Sequence, residues 1–159
     1  MPQADIVILG GGSGGYACAL RAAELGKSVI LIDADKLGGT SLHRGCIPTK
    51  ALLHAAEVAD SARESDEFGV KATFEGIDMP QVNKYRDGVV GRLYKGLQGL
   101  IKSRGVTLVE GYGKMVGSTT VEVNGEQYTG EHLVLATGSY AKSLPGPQIR
   151  GRDLAQGAG

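Results

Sequence analysis

The apolar run Ile6-Val7-Ile8-Leu9 leads straight into a block of glycines, and a second unbroken run, Val29-Ile30-Leu31-Ile32, ends at Asp33. A strand that is apolar at every position, rather than at alternate ones, is suited to burial on both faces, as in a parallel sheet. Between the two runs, Gly14 to Leu25 reads as a helix closed by Gly26, with Ala17, Ala19, Ala22 and Ala23 small enough to pack close to the sheet. The pattern predicts a β-α-β unit of about thirty residues with a right-handed crossover.

Further along, a second helix is expected to run from Pro48, a favoured first-turn position, through Leu52, Ala55, Ala56 and Val58 to near Arg63. Asp78 is placed as the N-cap of a third helix, with Pro80 just inside it. Val82, Tyr85, Val89, Leu93, Leu97 and Leu100 fall at helical spacing before Gly105. Gly88, Gly91, Gly96 and Gly99 weaken that helix along its middle. From Val106 the period changes to two. Residues 106–110, 114–116, 120–123, 126–129 and 132–135 read as strands, with Asn124-Gly125 as a type I′ hairpin turn. The fold class expected is α/β: a Rossmann-like domain with a parallel sheet, crossover helices and a small antiparallel meander. One domain over residues 1–144 is expected, followed by an irregular tail over 145–159 that opens at Pro145 and Pro147.

Composition narrows the function. The chain has 159 residues and 26 glycines, about double the usual share, yet 42% of its residues are hydrophobic, which excludes a low-complexity chain. Seventeen basic residues balance seventeen acidic ones without a basic cluster, so no nucleic-acid partner is expected. The start Met1-Pro2-Gln3-Ala4-Asp5 has no basic leader and Ile6–Leu9 is too short to span a bilayer, so a soluble, cytoplasmic chain without a membrane partner is expected. Two cysteines, Cys18 and Cys46, do not make a secreted disulfide framework. His43, His54 and His132 lack partners at ligand spacing, so no metal site is expected.

Gly10, Gly12 and Gly15 form G-x-G-x-x-G between a buried strand and a helix. The first glycine permits the tight turn, the second lets backbone amides reach a pyrophosphate, and the third lets helix and strand pack closely. The helix N-terminus favours the phosphate charge. Asp33, eighteen residues beyond Gly15, is placed to accept hydrogen bonds from ribose hydroxyls. This fingerprint predicts dinucleotide binding and does not separate FAD from NAD.

The run from Gly38 to Lys50, Gly38-Gly39-Thr40-Ser41-Leu42-His43-Arg44-Gly45-Cys46-Ile47-Pro48-Thr49-Lys50, resembles the active-site segment of the flavoprotein disulfide reductases. Gly111-Tyr112-Gly113-Lys114 resembles that family's turn beside the adenine of FAD, and Ala136-Thr137-Gly138-Ser139 its segment that closes on FAD. The resemblance runs from about Ile6 to about Leu144. Ile47-Pro48-Thr49-Lys50-Ala51-Leu52-Leu53-His54 favours the dihydrolipoyl dehydrogenase branch over the glutathione and mercuric reductases.

The resemblance implies FAD as the bound cofactor, held by Gly10, Gly12, Gly15, Asp33, Gly38, Gly39, Thr40, Ser41, Lys50, Gly113, Thr137 and Gly138. It implies that NAD is the acceptor in the intact enzyme, at a site outside this chain. The lipoyl domains of 2-oxoacid dehydrogenase complexes are the implied partners, and the full-length protein is implied to be a homodimer. Family members are several times longer, with NAD-binding and dimerisation domains, so this chain is expected to be a truncated portion. In the family two redox cysteines stand with four residues between them; here Ser41 occupies the first place and Cys46 the second. Cys46 lies near a helix start, where peptide dipoles favour a thiolate. A serine hydroxyl cannot exchange thiols, so the dithiol relay is broken as written. Cys18 reads as a buried, inert cysteine. Two alternatives therefore stand beside the dehydrogenase: a diaphorase-like FAD quinone reductase and a non-catalytic FAD-binding module.

Overall fold

The computed structural model describes residues 2–140; the expected tail at 145–159 and its boundary lie outside them. The chain begins with β1 (Gln3–Leu9), α1 (Ser13–Glu24) and β2 (Val29–Asp33). A short helix α2 (Gly39–His43) and the long α3 (Cys46–Arg63) follow, then a 3₁₀ turn at Ser65–Phe68 and α4 (Met79–Ser103). The rest is β3 (Thr107–Glu110), β4 (Lys114–Met115), β5 (Thr120–Val123) and β6 (Glu126–Leu135).

The six strands form one sheet in the order β3-β2-β1-β6-β5-β4. The four strands from β3 to β6 run parallel, with Ile8 beside Leu31 on one side and beside Val134 on the other. The meander is an extension of this sheet, because β6 serves both parts. Its first residues pair antiparallel with β5, and residues 129–135 run parallel to β1. The two separate strands expected at 126–129 and 132–135 are thus one ten-residue strand. Gly130 marks the handover: a Cβ there would lie 3.0 Å from the Val7 amide nitrogen and 2.8 Å from the His132 carbonyl oxygen, so β6 passes too close for a side chain.

Burial follows the period of two. Ile8, Val29 and Leu31 point to one face, against Ala19 and Ala22 of α1 and Ile101 of α4. Val7, Ile30 and Ile32 point to the other, against Val121, Val123 and Tyr128 of the meander. Each of the fully buried side chains Val7, Ile8, Leu31 and Ile32 contributes roughly 1.5–3 kcal/mol relative to exposure, so the two continuous runs anchor the fold.

Two corrections concern the helices. α3 begins at Cys46 rather than Pro48, with Pro48 still in the first turn, where its missing N–H costs no hydrogen bond. α2 was not expected at all. The third helix matches its reading: Asp78 caps α4 by accepting from the Gln81 amide at 3.1 Å, and α4 continues unbroken past its four glycines. Asn124 and Gly125 both have positive φ, as the type I′ turn requires. Cys18 is half-buried against the α1 side of the core.

Candidate functional site

The C-terminal ends of β1, β2, β3 and β6 share one edge of the sheet, the edge at which open α/β sheets bind ligands. The glycine turn rises from β1 at this edge. Gly10 has φ +106°, and a Cβ on it would lie 2.2 Å from the Ala136 carbonyl oxygen. A Cβ on Gly15 would lie 1.7 Å from the Gly10 carbonyl oxygen, so the start of α1 sits directly on the turn. Gly12, the N-cap of α1, supplies no side-chain cap, and the first turn holds no acidic residue. Its amides therefore face the edge with the positive end of the helix dipole behind them, a setting that suits an anion.

Asp33 ends β2 and is half-buried. One carboxylate oxygen accepts the Gly11 amide and the other accepts the Asp35 amide at 2.8 Å. Asp33 thus orders the glycine turn, while each oxygen keeps a lone pair for a further donor. Its backbone carbonyl accepts the Gly111 amide at 2.8 Å, which draws the Gly111–Gly113 turn to the same edge. A Cβ on Gly113 would meet Leu9 at 2.5 Å and Val121 at 2.9 Å, so this turn is pressed against the core.

The Gly38-Gly39 segment closes the other side. The Gly38 amide donates to the Gly11 carbonyl at 2.8 Å, and a Cβ on Gly39 would lie 2.9 Å from the Gly12 Cα. Two glycine-rich turns therefore lie backbone to backbone, and α2 starts from the second. Thr40 and Ser41 follow on α2, Thr40 exposed and Ser41 half-buried. The chain then folds back on itself: the Cβ direction of Gly45 ends 3.6 Å from the Ser41 Cα and 3.1 Å from the Thr40 carbonyl oxygen. Cys46 and Lys50 lie in the first turns of α3, both exposed. Among the described residues no side-chain hydrogen bond or ion pair ties either to the glycine turn. At the far side of the edge the Ala136 amide donates to the Leu9 carbonyl at 2.8 Å, and Thr137 and Gly138 follow, both exposed.

The expected residues of β1, β2 and the two glycine turns are thus brought into contact, and Gly113, Thr137 and Gly138 border the same edge. Several neighbours were given no role by the sequence. Gly11 joins Asp33 to Gly38 through its amide and carbonyl, and its only sequence signal is an extra glycine inside the motif. His43 is held by the Leu37 carbonyl at 2.8 Å and sets its ring edge-on to Tyr94 of α4, 5.0 Å between centroids. Tyr112 and Tyr140, both exposed, are hydrogen-bonded to each other, which pushes the Tyr112 phenol above its ordinary pKa. A cavity of about 440 Å³ lined by Gln3, Asp5, Ser28 and Glu131 opens at the opposite edge, away from these residues.

The site has the form of a dinucleotide cradle: backbone amides at a helix N-terminus, two glycine turns where side chains would intrude, and an oriented carboxylate. Glycine residues at Gly10, Gly15 and Gly39 leave this crossing free of side chains, so a ligand can approach its backbone closely. Among the described residues, no helix is long and apolar enough to cross a membrane.

Residues 4–158 match the family model described as pyridine nucleotide-disulphide oxidoreductase. The dihydrolipoyl dehydrogenase of Bacillus subtilis (strain 168) is 40% identical over 163 residues, covering 94% of this chain and 34% of the relative. That of Thermus scotoductus is 42% identical over 146 residues, covering 92% and 32%. The mitochondrial dihydrolipoyl dehydrogenase of Pisum sativum is 41% identical over 162 residues, covering 98% and 32%. The chain spans about a third of the length of these curated relatives. With a match that runs almost end to end over a cradle of this geometry, the chain belongs to the pyridine nucleotide-disulphide oxidoreductase family.

Proposed function

We propose that this chain is the FAD-binding portion of a dihydrolipoyl dehydrogenase, an oxidoreductase that reoxidises the dihydrolipoyl groups of 2-oxoacid dehydrogenase complexes with NAD as acceptor. The observation that carries the reading is the backbone contact between the Gly10–Gly15 turn and the Gly38-Gly39 turn, with Asp33 hydrogen-bonded beneath. In this reading Gly10, Gly12 and Gly15 receive the pyrophosphate, and Asp33 accepts ribose hydroxyls. Gly38, Gly39, Thr40, Ser41 and Lys50 line the path toward the flavin, and Gly113, Thr137 and Gly138 border the rest. Bound FAD supplies two-electron transfer between a dithiol and a nicotinamide. Cys46 stands at the flavin-side place of the thiol pair and Ser41 at the substrate-side place. The lipoyl domains are the partners, the intact protein is a homodimer, and the setting is the cytoplasm.

Ser41 favours a second reading. Its hydroxyl cannot form a disulfide with Cys46, so a protein carrying it passes electrons from flavin to quinones or dyes, as a diaphorase does, or binds FAD without catalysis.

Titration by flavin fluorescence tests the common core of both readings. FAD should bind more tightly than NAD⁺, and Asp33→Ala should weaken FAD by about 1.5–3 kcal/mol, the range for hydrogen bonds to a charged group. Tighter binding of NAD⁺, or an Asp33→Ala chain that binds FAD as well as the parent does, would overturn it.

A further inference from the structure

We propose that His43 is a positioning residue for the cofactor crossing, a role that rests on the FAD reading above for its ligand. By holding the carbonyl of the peptide that joins Leu37 to Gly38, its imidazole fixes the Gly38-Gly39 turn against Gly11 and keeps the crossing formed before FAD arrives.

The turn needs a restraint that its own residues do not supply. Gly38 and Gly39 have φ of +105° and +58°, and glycine leaves such angles almost as readily as it adopts them. α2, which starts at Gly39, has only five residues and no side-chain cap at Gly38, so it cannot set its own direction. One peptide group carries the missing order. Its N–H, that of Gly38, donates to the Gly11 carbonyl at 2.8 Å, and its carbonyl, that of Leu37, lies 2.8 Å from His43 Nε2. A carbonyl only accepts, so Nε2 bears the hydrogen. The N–H and C=O of a planar trans peptide point opposite ways, so a peptide bonded at both ends cannot rotate without losing both bonds.

His43 is itself held. Its ring meets Tyr94 of α4 edge-on, 5.0 Å between centroids and 75° between planes, and Tyr94 packs on the same core cluster that buries the Leu37 side chain. Residue 37 is thereby anchored twice, by its side chain in the core and by its carbonyl through the last residue of α2. Without the imidazole donor the peptide is free to turn, and fewer chains hold the crossing at any moment. A ligand that needs the crossing then binds more weakly by the same fraction.

Two variants of the whole chain separate the donor from the ring. His43→Phe keeps an aromatic edge for Tyr94 and loses the donor, whereas His43→Gln restores an N–H at similar reach. By flavin fluorescence, His43→Phe should raise the FAD dissociation constant at least about tenfold and His43→Gln at most about threefold, because only the first leaves the Leu37 carbonyl unpaired. In the ligand-free chain, hydrogen exchange at the Gly38 amide should quicken at least about tenfold relative to that at Leu31 in His43→Phe and recover in His43→Gln, a local loss that general destabilisation does not produce. Nitrogen-15 NMR of the parent should find His43 protonated at Nε2, a reading that stands even if His43→Phe does not fold. A hydrogen on Nδ1 alone, unchanged Gly38 exchange in His43→Phe, equal losses in both variants, or FAD bound as tightly by His43→Phe as by the parent would overturn the proposal. A parent that binds no FAD while Gly38 exchange responds as expected would overturn the cofactor reading, and with it the ligand named here.

Discussion

A hydroxyl at residue 41 has consequences that its size conceals. Ser and Cys are nearly isosteric, so α2 and the glycine crossing can form with either, while only the thiol supports a disulfide. The fold-back that ends the Gly45 Cβ direction 3.6 Å from the Ser41 Cα holds residue 41 beside the start of α3. That neighbourhood suits the short Cα separation a disulfide needs. Ser41→Cys should therefore convert a chain with free Cys18 and Cys46 into one with a reversible 41–46 bridge. After mild oxidation, thiol titration under denaturing conditions should find one free thiol, rising to three on reduction; three thiols before reduction would refute the pairing. At this scale the sequence was most legible where the chemistry is local. Gly10, Gly12, Gly15 and Asp33 announce themselves by spacing, because turn geometry and the following strand fix them. His43 does not, since its partners Leu37 and Tyr94 come together only when α4 packs against α2. The pairing of Tyr112 with Tyr140 is likewise long-range and leaves no local pattern.

Secondary elements were legible where an unbroken pattern runs through them. β2 and α4 were read within a residue or two, and β1 at its C-terminal end although it starts three residues earlier, at Gln3, because apolar runs and a capped periodic helix carry enough positions to establish a pattern. The five residues of α2 do not complete two turns, and their Gly-Gly start resembles any turn. β6 was divided in two because Gly130 breaks its apolar pattern, whereas in space that glycine admits the close approach of β1. The start of β1 is joined to the start of β2 by an interaction that no pattern predicts. Asp5 accepts the Ser28 hydroxyl at 2.6 Å, the Ser28 amide at 2.7 Å and Lys27 Nζ at 3.2 Å. The Ser28 hydroxyl first, then its amide and Lys27, hold the Asp5 carboxyl at about 2, below its ordinary 3.8. A carboxyl lowered by folding favours the folded state once it is ionised, so its contribution is complete above about pH 4 and is lost as pH falls toward 2. Urea midpoints measured from pH 5 to pH 2 should fall for the parent more steeply than for Asp5→Asn. Parallel slopes would show that the pairing is not formed in solution.

At the scale of the whole molecule, the family and the cradle were legible because strand, glycine turn, helix and acidic residue are consecutive in sequence as well as in space. The cradle itself makes a claim about stability that a ligand can test. Its glycine turns hold each other through the Gly38 to Gly11 hydrogen bond and the Gly11 to Asp33 contact, so any ligand that lies along them stabilises the folded chain and not the unfolded one. By mass action, FAD at about a hundredfold over its dissociation constant adds about 2.7 kcal/mol. For a chain of 159 residues that corresponds to a rise of roughly 5–11 °C in thermal midpoint, at 2–4 °C per kcal/mol. NAD⁺ at the same concentration should give a smaller rise, and Asp33→Ala should reduce the FAD effect because it removes both the ribose acceptor and the support of Gly11. Differential scanning calorimetry of parent and variant with each dinucleotide reads all three. An equal shift from NAD⁺, or no shift from saturating FAD, would mean that the crossing of the two glycine turns is not the cofactor site.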